Sequence, residues 1–197
     1  MSFDAKGVGK RRLKDDQSVV LDHVQLDWAD FSGRRLVQFS AAGCRFLNSD
    51  FSDMSINDSA FGAGRDRSEY ADCRFDRSRI RFGPGGNARF VRCSFRDVDL
   101  EDWRCSTVEL VDCTFSGVIQ TAIFNAAVPT NDQRAIGRVR NDFRGNDFSA
   151  CQLMDVPFRT GVDLDAQRLP AGPGYLYLRK AVTAVAVASK KVAAWTD

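Results

Sequence analysis

The sequence Cys93-Ser94-Phe95-Arg96-Asp97 recurs twenty residues later, with the same character, as Cys113-Thr114-Phe115-Ser116-Gly117. In each five-residue unit a large apolar residue occupies the centre, and a small residue precedes it by two positions. The pattern begins near Leu21 and continues to Phe158, with a shift near Gly62 where one residue drops out of the register. A period of five matches neither the α-helix nor the two-residue alternation of a flat strand. It predicts a square coil with four five-residue sides per turn and with both positions facing inward.

A turn of twenty residues would place residue i against residue i+20 at the strand spacing of roughly 4.8 Å. Two inward core columns follow from this spacing, Phe75/Phe95/Phe115 and Cys73/Cys93/Cys113. All six cysteines occupy inward positions of the repeat, and the chain has no Cys-x-x-Cys pair. We therefore expect buried, free and slowly reacting thiols, and neither a metal nor a redox site.

Two more units, Ala29-Asp30-Phe31-Ser32-Gly33 and Cys44-Arg45-Phe46-Leu47-Asn48, carry the same pattern. Over about residues 18–170 the chain resembles the pentapeptide-repeat family. The resemblance implies an all-β fold, a right-handed quadrilateral parallel β-helix. Some residues depart from the family pattern and are expected to mark bulges or local distortions. They are Arg34, Phe39, Met54, Trp103, Asn141 and Asn146 at the small position, and Gly85 and Gln120 at the large one.

Composition excludes several classes of function. The chain has 197 residues, 28 Lys and Arg against 26 Asp and Glu, and a single histidine. A lone histidine makes catalytic triads and histidine-rich metal sites improbable, so we expect no enzyme, no metal and no cofactor. The chain has no apolar run long enough for a signal peptide or a membrane span, which predicts a cytoplasmic protein.

Charges on the coil are arranged in opposite pairs. Residues 21–170 carry 19 Arg and 22 Asp and Glu, a net charge of −3, and no Lys. Eight pairs of residues twenty apart are opposite in sign: Glu69/Arg89, Asp72/Arg92, Asp76/Arg96, Arg77/Asp97, Arg79/Asp99, Arg81/Glu101, Arg89/Glu109 and Arg92/Asp112. Stacked strands would bring each pair together as a ladder that fixes the register. Since nucleic-acid binding needs unpaired basic patches, and only the basic tail at 1–17 offers one, we expect no direct nucleic-acid contact.

The segment 121–142 breaks the repeat and is expected to project from the coil as a loop. Thr130-Asn131-Asp132-Gln133 is typical of a capping box at the start of a short helix. The ladder leaves Arg134, Arg138 and Arg140 unpaired, so we predict that these three residues contact a partner. The same loop could instead merely cover an edge of the coil.

The chain divides into a basic tail (1–17), predicted to be disordered, the coil (18–170) and a C-terminal segment (171–197) with a helix over about 179–195. At helical spacing, one side of that helix carries Leu178, Val182, Val185, Val192 and Trp195. The helix either caps the last turn of the coil or joins two copies of the chain as a homodimer.

Two functions are compatible with these patterns. The first is a non-enzymatic scaffold that binds a protein partner whose identity the sequence does not encode. The alternative follows from the resemblance alone. One branch of the family, which includes the Qnr quinolone-resistance proteins, binds DNA gyrase as a dimeric rod that mimics DNA, and so protects this type II topoisomerase from antibiotics. The loop and the C-terminal helix fit that branch, whereas the near-neutral surface does not.

Overall fold

A computed structural model describes residues 17–83, 86–175, 181–193 and 195. Of the predicted tail, residues 1–16 lie outside the described residues, and Gln17 opens the first strand. The strands are β1 (Gln17–Asp22), β2 (Gln25–Asp27), β3 (Arg35–Ala42), β4 (Arg45–Leu47), β5 (Ser55–Ala60), β6 (Ser68–Ala71), β7 (Arg79–Phe82), β8 (Ala88–Val91), β9 (Ser94–Glu101), β10 (Arg104–Cys105), β11 (Val108–Val111), β12 (Thr114–Gln120), β13 (Ile123–Asn125), β14 (Phe143–Arg144), β15 (Asp147–Met154) and β16 (Phe158–Arg159). The helices are α1 (Thr130–Ile136) and α2 (Ala181–Ala193). Neither described helix has the length and apolarity needed to cross a membrane.

The strands stack in parallel into three faces of a β-solenoid, which confirms the predicted all-β coil with a C-terminal helix. The seven-stranded face has the order β1-β3-β5-β7-β9-β12-β15, and the six-stranded face β14-β11-β8-β6-β4-β2. The three-stranded face has the order β10-β13-β16. Isolated parallel bridges, among them Asp50↔Arg74 and Arg74↔Ser94, link the turns along the remaining side.

The core contains stacked aromatic rings, as the five-residue period predicts. Phe95 lies between Phe75 and Phe115, with ring centroids 4.6 and 4.8 Å away and nearly parallel planes. Phe148 extends this column at 4.6 Å from Phe115. The predicted cysteines, Cys73, Cys93 and Cys113, are buried beside the rings, and their thiols donate to backbone carbonyls. Both predicted columns are therefore confirmed as core.

Three large apolar residues at small positions, Phe39, Met54 and Trp103, face inward, and a register shift between β1 and β3 lies within two residues of Phe39. Phe39 and Trp103 are buried, and Trp103 stacks on Phe82 with ring centroids 4.4 Å apart. The large position two residues later holds a small side chain in each case, Ala41 after Phe39 and Cys105 after Trp103. Large and small side chains have exchanged places, which conserves the core volume. Met54, Asn141 and Asn146 are likewise buried.

Three of the register shifts can be traced to particular segments of the chain. Phe46 pairs with Tyr70, so four residues are added within the segment 62–67, where the sequence suggested the loss of one. A residue is missing in β12, which brings Ile119 instead of Gln120 against Leu100 and confirms an irregularity there. Gly117 permits this close approach, because a Cβ added to it would lie 2.2 Å from the carbonyl oxygen of Val98. The third shift, the insertion before β14, belongs to the predicted loop.

The loop predicted over 121–142 is shorter, because its first part stays in the coil. Strand β13 pairs with β10 and β16, and Phe124 is fully buried against Phe158. Only residues 129–139, called the excursion below, leave the stack, and an antiparallel bridge between Ala127 and Arg140 closes its base. The predicted capping box is wrong: Pro129 is the N-cap of α1, and the Gln133 side chain donates to the carbonyl of Val128 at 2.9 Å.

Helix α2 confirms the predicted C-terminal helix, but its described side chains do not cover the coil. From 183 to 193 they are exposed, apart from the half-buried Ala184. Val185 and Val192 are each more than half exposed, and Trp195 is 80% exposed. Leu178 and the side chain of Val182 lie outside the described residues. The described side chains of α2 are thus mostly exposed, and capping and dimerisation both stay predictions for this helix.

Candidate protein-interaction surface

Paired charges cover the corners and faces of the coil. Arg92 Nη2 lies 2.7 Å from Asp72 Oδ2, and Arg79 Nε lies 3.4 Å from Asp99 Oδ2, as the twenty-residue ladder predicts. Asp72 and Arg92 both sit at left-handed corners, at φ 54° and 51°. The Arg92 guanidinium lowers the pKa of the Asp72 carboxyl below its ordinary value. These charges thus bind one another along the stack.

Several predicted pairs have a different partner in the structure. Arg77 binds Asp53 at 2.6 Å, because the turn between them has twenty-four residues. Arg81 binds Asp102 at 3.0 Å, one residue beyond its predicted partner. The Asp76 carboxylate accepts hydrogen bonds from the Ser94 hydroxyl and the Arg96 backbone. Among the described residues, three of the eight predicted pairs form ion pairs, namely Asp72/Arg92, Arg79/Asp99 and Arg89/Glu109, and the other five could not be deduced from a uniform turn.

A cluster of arginines surrounds the buried carboxylate of Glu109 on the six-stranded face. Its Oε2 atom accepts hydrogen bonds from Arg67 at 2.9 Å and from Arg89 at 3.2 Å, the latter a predicted pair. The Glu109 side chain is only 6% exposed. A buried carboxylate needs such cationic partners to offset its lost hydration.

Arg138 belongs to the same cluster, so the prediction of a free contact residue is wrong for it. Its side chain is 14% exposed, and its Nε lies 3.9 Å from Glu109 Oε1. The guanidinium donates to Asn141 Oδ1 at 3.1 Å, Asn87 Oδ1 at 2.8 Å and the Thr107 carbonyl at 2.7 Å. Burial lowers the pKa of Arg138, and Glu109 partly offsets this effect. Arg138 therefore fastens the excursion to the coil.

The outer part of the excursion faces solvent. Helix α1 has no buried residue, Arg134 is exposed, and Val139 is 60% exposed. Arg140 is also exposed, while its Nη2 donates to the carbonyl of Gly161 at 3.0 Å. The structure thus keeps two of the three predicted arginines, Arg134 and Arg140, on one exposed and fixed projection.

Sequence reasoning missed the three-stranded face beside this projection. Arg104 on β10 and Arg159 on β16 are exposed there, and neither forms an ion pair with the residues that the structure describes. Their strand partners explain this, because Ile123 pairs with Arg104 and Asn125 with Arg159, at positions where the ladder would need carboxylates.

Catalytic chemistry has little support in the described residues. They include no group of three or more His, Cys, Asp and Glu side chains that could hold a metal. Burial raises the pKa of the Cys105 thiol well above its ordinary value and that of Cys151 to about 12, which opposes thiolate formation. A cavity between Phe82 and Trp103 has a volume of only about 20 Å³, which is the space of a single water molecule.

The single histidine forms a surface clasp. His23 Nδ1 lies 2.7 Å from Asp22 Oδ1, and Nε2 lies 2.9 Å from Asp66 Oδ2. Asp66 belongs to the four-residue expansion near Gly62, so the clasp ties this expansion to the first turn. The hydrogen bonds to Asp66 and Asp22 raise the pKa of His23 above its ordinary value of 6.5.

Comparisons with known proteins identify no family. No protein-family profile matches the chain, and no curated protein matches it. Among solved structures, the chain is similar to trypsin-treated QnrB1, described as a plasmid-mediated fluoroquinolone resistance protein. The identity is 14%, the match covers 79% of each chain, and the TM-score is 0.42. A likeness this distant says nothing about function.

Proposed function

We propose that this chain is a non-enzymatic, cytoplasmic pentapeptide-repeat protein that acts as a scaffold for binding another protein. One observation carries the proposal: the excursion is held rigidly by the buried Arg138, yet its helix α1 buries nothing. Helix α1 adds no buried side chain to the core of the coil. The conformational entropy lost in ordering it is therefore best explained by a use of its surface in binding. Six buried thiols fit a reducing compartment.

The charge distribution favours a scaffold over a mimic of DNA. A duplex mimic would present continuous negative charge. Here acidic and basic side chains alternate along the stack, as in Asp53–Arg77 and Asp72–Arg92. Contact with DNA gyrase is the finer alternative within this proposal, and it would have to use the excursion instead of an acidic stripe.

A photo-crosslinking amino acid at position 139 tests the scaffold directly in the native cell. Val139 is exposed on the excursion, and Gln152 on the seven-stranded face is a matched exposed control. We expect a discrete crosslinked protein from position 139 and none from position 152. Equal labelling at both positions, or none at either, would contradict the proposal.

Purified DNA gyrase supplies the second test, through supercoiling and drug-stabilised cleavage assays. Deleting 121–142 would remove β13 from the core, so the control must be narrower. Residues 130–137 can be replaced by Asn-Gly, because Val128 N donates to Val139 O and the two strands already form a hairpin. Protection that is lost in this variant would support gyrase as the partner, and no effect of either protein would exclude it.

Helix α2 is proposed to join two copies of the chain. Val185 and Val192 are more than half exposed on it, together with Trp195 just beyond its end. Such apolar side chains on one helix favour a partner helix. Light scattering should show a dimer mass that falls to the monomer mass in Val185→Glu/Val192→Glu, while a monomer mass for the native chain would contradict this part of the proposal.

A further inference from the structure

The three-stranded face carries two exposed arginines, Arg104 and Arg159, that form no ion pair with the described residues. We propose that this face and the adjoining excursion form a cationic surface that binds an acidic patch on a partner protein. The surface consists of Arg104, Arg134, Arg140 and Arg159 and is called the arginine surface below. This inference rests on the proposed scaffold function and specifies the chemistry of the partner.

Strand pairing places these arginines on one side of the molecule. Arg104 pairs with Ile123, and Asn125 of the same strand pairs with Arg159, so the two arginines lie two strands apart. Neighbouring strands are about 4.8 Å apart, which puts these guanidinium groups within reach of one acidic patch. They flank the exposed edge of Ile123.

The excursion adds its arginines at the end of the same face. The Ala127↔Arg140 bridge extends the chain line of β13, and the hydrogen bond to Gly161 holds the Arg140 side chain near the end of β16. Ala127 N donates to Thr160 Oγ1 at 2.8 Å, which ties the base of the excursion to the residue after Arg159. Arg140 therefore adjoins the end of the three-stranded face, and this base supports the excursion that carries Arg134.

Unpaired arginines also occur on the seven-stranded face, but Arg35 on β3 and Arg96 on β9 lie three strands apart there, whereas Arg104 and Arg159 lie only two strands apart. Within residues 17–83 and 86–175, none of the four arginines of the arginine surface forms an ion pair, whereas Arg74, Arg79 and Arg92 on other parts of the coil each bind a carboxylate. Asp132 is the acidic residue of the excursion, and Asp155 lies at the corner before β16. Guanidinium groups that lack internal carboxylates are available for bidentate bonds to carboxylates of another protein.

An acidic protein fits this surface better than a nucleic acid. The half-buried Ile123 and the exposed Val139 lie among the arginines and would contact apolar side chains. Nucleic-acid surfaces usually add aromatic platforms, but Trp28, which is 75% exposed, lies at the corner after β2 on another face. Residues 21–170 also carry a net charge of −3, which opposes binding of a long polyanion.

Fluorescence anisotropy with two labelled probes tests the inference at low salt. The probes are a glutamate-rich peptide with interspersed leucines and a short DNA duplex. The test variant is Arg104→Gln/Arg159→Gln, and the control is Arg35→Gln/Arg96→Gln. Arg35 and Arg96 are also exposed and form no ion pair with described residues, but they lie away from the arginine surface. Both variants change the net charge equally.

We expect the peptide to bind the native chain and to bind the test variant about tenfold more weakly, with little change in the control. Equal weakening in both variants, or no peptide binding, would overturn the inference. Tighter binding of DNA than of peptide, lost in the test variant, would overturn the choice of partner. If crosslinks from position 139 persist while the peptide does not distinguish the variants, the scaffold stands and only the arginine surface fails.

Discussion

The seven-stranded and three-stranded faces are built from the same repeat but handle charge differently. On the seven-stranded face, Arg79 and Asp99 are register partners and bind each other across neighbouring strands. On the three-stranded face, Arg104 has Ile123 beside it and no carboxylate. Arginines that form ion pairs between neighbouring strands fix the register, whereas arginines without such a partner are available to bind another protein. The fold is thus held by one set of arginines and the proposed function by another.

The largest expected difference between these faces is the stability lost when a stacked core ring is truncated. Phe95 has a stacked ring on both sides, while the half-buried Phe158 stacks on Phe124 alone among the residues that the structure describes, at 5.1 Å. Phe95→Ala should lower the free energy of unfolding by about 3 to 5 kcal/mol through the cavity it leaves. Phe158→Ala should cost clearly less in the same urea titration. A loss below about 1 kcal/mol for Phe95→Ala would contradict its position in the column.

The excursion provides the next contrast, between two arginines that the sequence could not tell apart. Arg138→Met removes three hydrogen bonds and one cationic neighbour of the buried Glu109, and should cost about 3 kcal/mol. Arg134→Met changes an exposed side chain and should leave the urea midpoint unchanged. Similar midpoints for both variants would show that Arg138 does not fasten the excursion.

Single pairs of the ladder should contribute little. For Arg79 and Asp99, a double-mutant cycle with Arg79→Gln and Asp99→Asn should give a coupling of about 0.2 to 1 kcal/mol, since both side chains are largely exposed. High salt should reduce it further. A coupling above this range would mean that the ladder stabilises the coil as well as fixing its register.

The smallest expected effect concerns the His23 clasp. Because the folded state raises the pKa of His23, its stabilising contribution is present below the unfolded value of 6.5 and is lost as the pH rises through the folded value. An NMR titration should give a His23 pKa above 6.5, and Asp66→Asn should lower it toward that value. An unchanged pKa in Asp66→Asn would show that the clasp does not form in solution.

These contrasts also define what the sequence could predict. The spacing of Phe75, Phe95 and Phe115 is enough to predict the core. Phe95 in this series stacks on the rings twenty residues before and after it. Arg138 could not be placed in this way, since it binds Asn87 and Thr107, which lie 51 and 31 residues earlier. Those contacts depend on how the excursion folds back, and no local period encodes that path.

The start of the excursion was predictable in principle. Counting five residues from Ile119 reaches Phe124, so the period continues once the deletion in β12 is recognised. If Gln120 is assigned to the inward position instead of Ile119, the repeat ends too early and β13 falls within the predicted loop. An error of one residue in the register thus moves the buried strand β13 into the predicted loop and makes that loop too long.

The excursion also lengthens one junction between turns of the coil. Stacked neighbours are separated by 19 to 24 residues along most of the chain, but by 33 or 34 where β11, β12 and β13 meet β14, β15 and β16. A solenoid gains cooperativity from contacts between adjacent turns, and this longer separation slightly weakens the coupling across the junction. Closing it costs only about 0.5 kcal/mol more in chain entropy. Arg138 crosses this junction to reach Thr107 and Asn87, and so couples the last turns to the earlier ones.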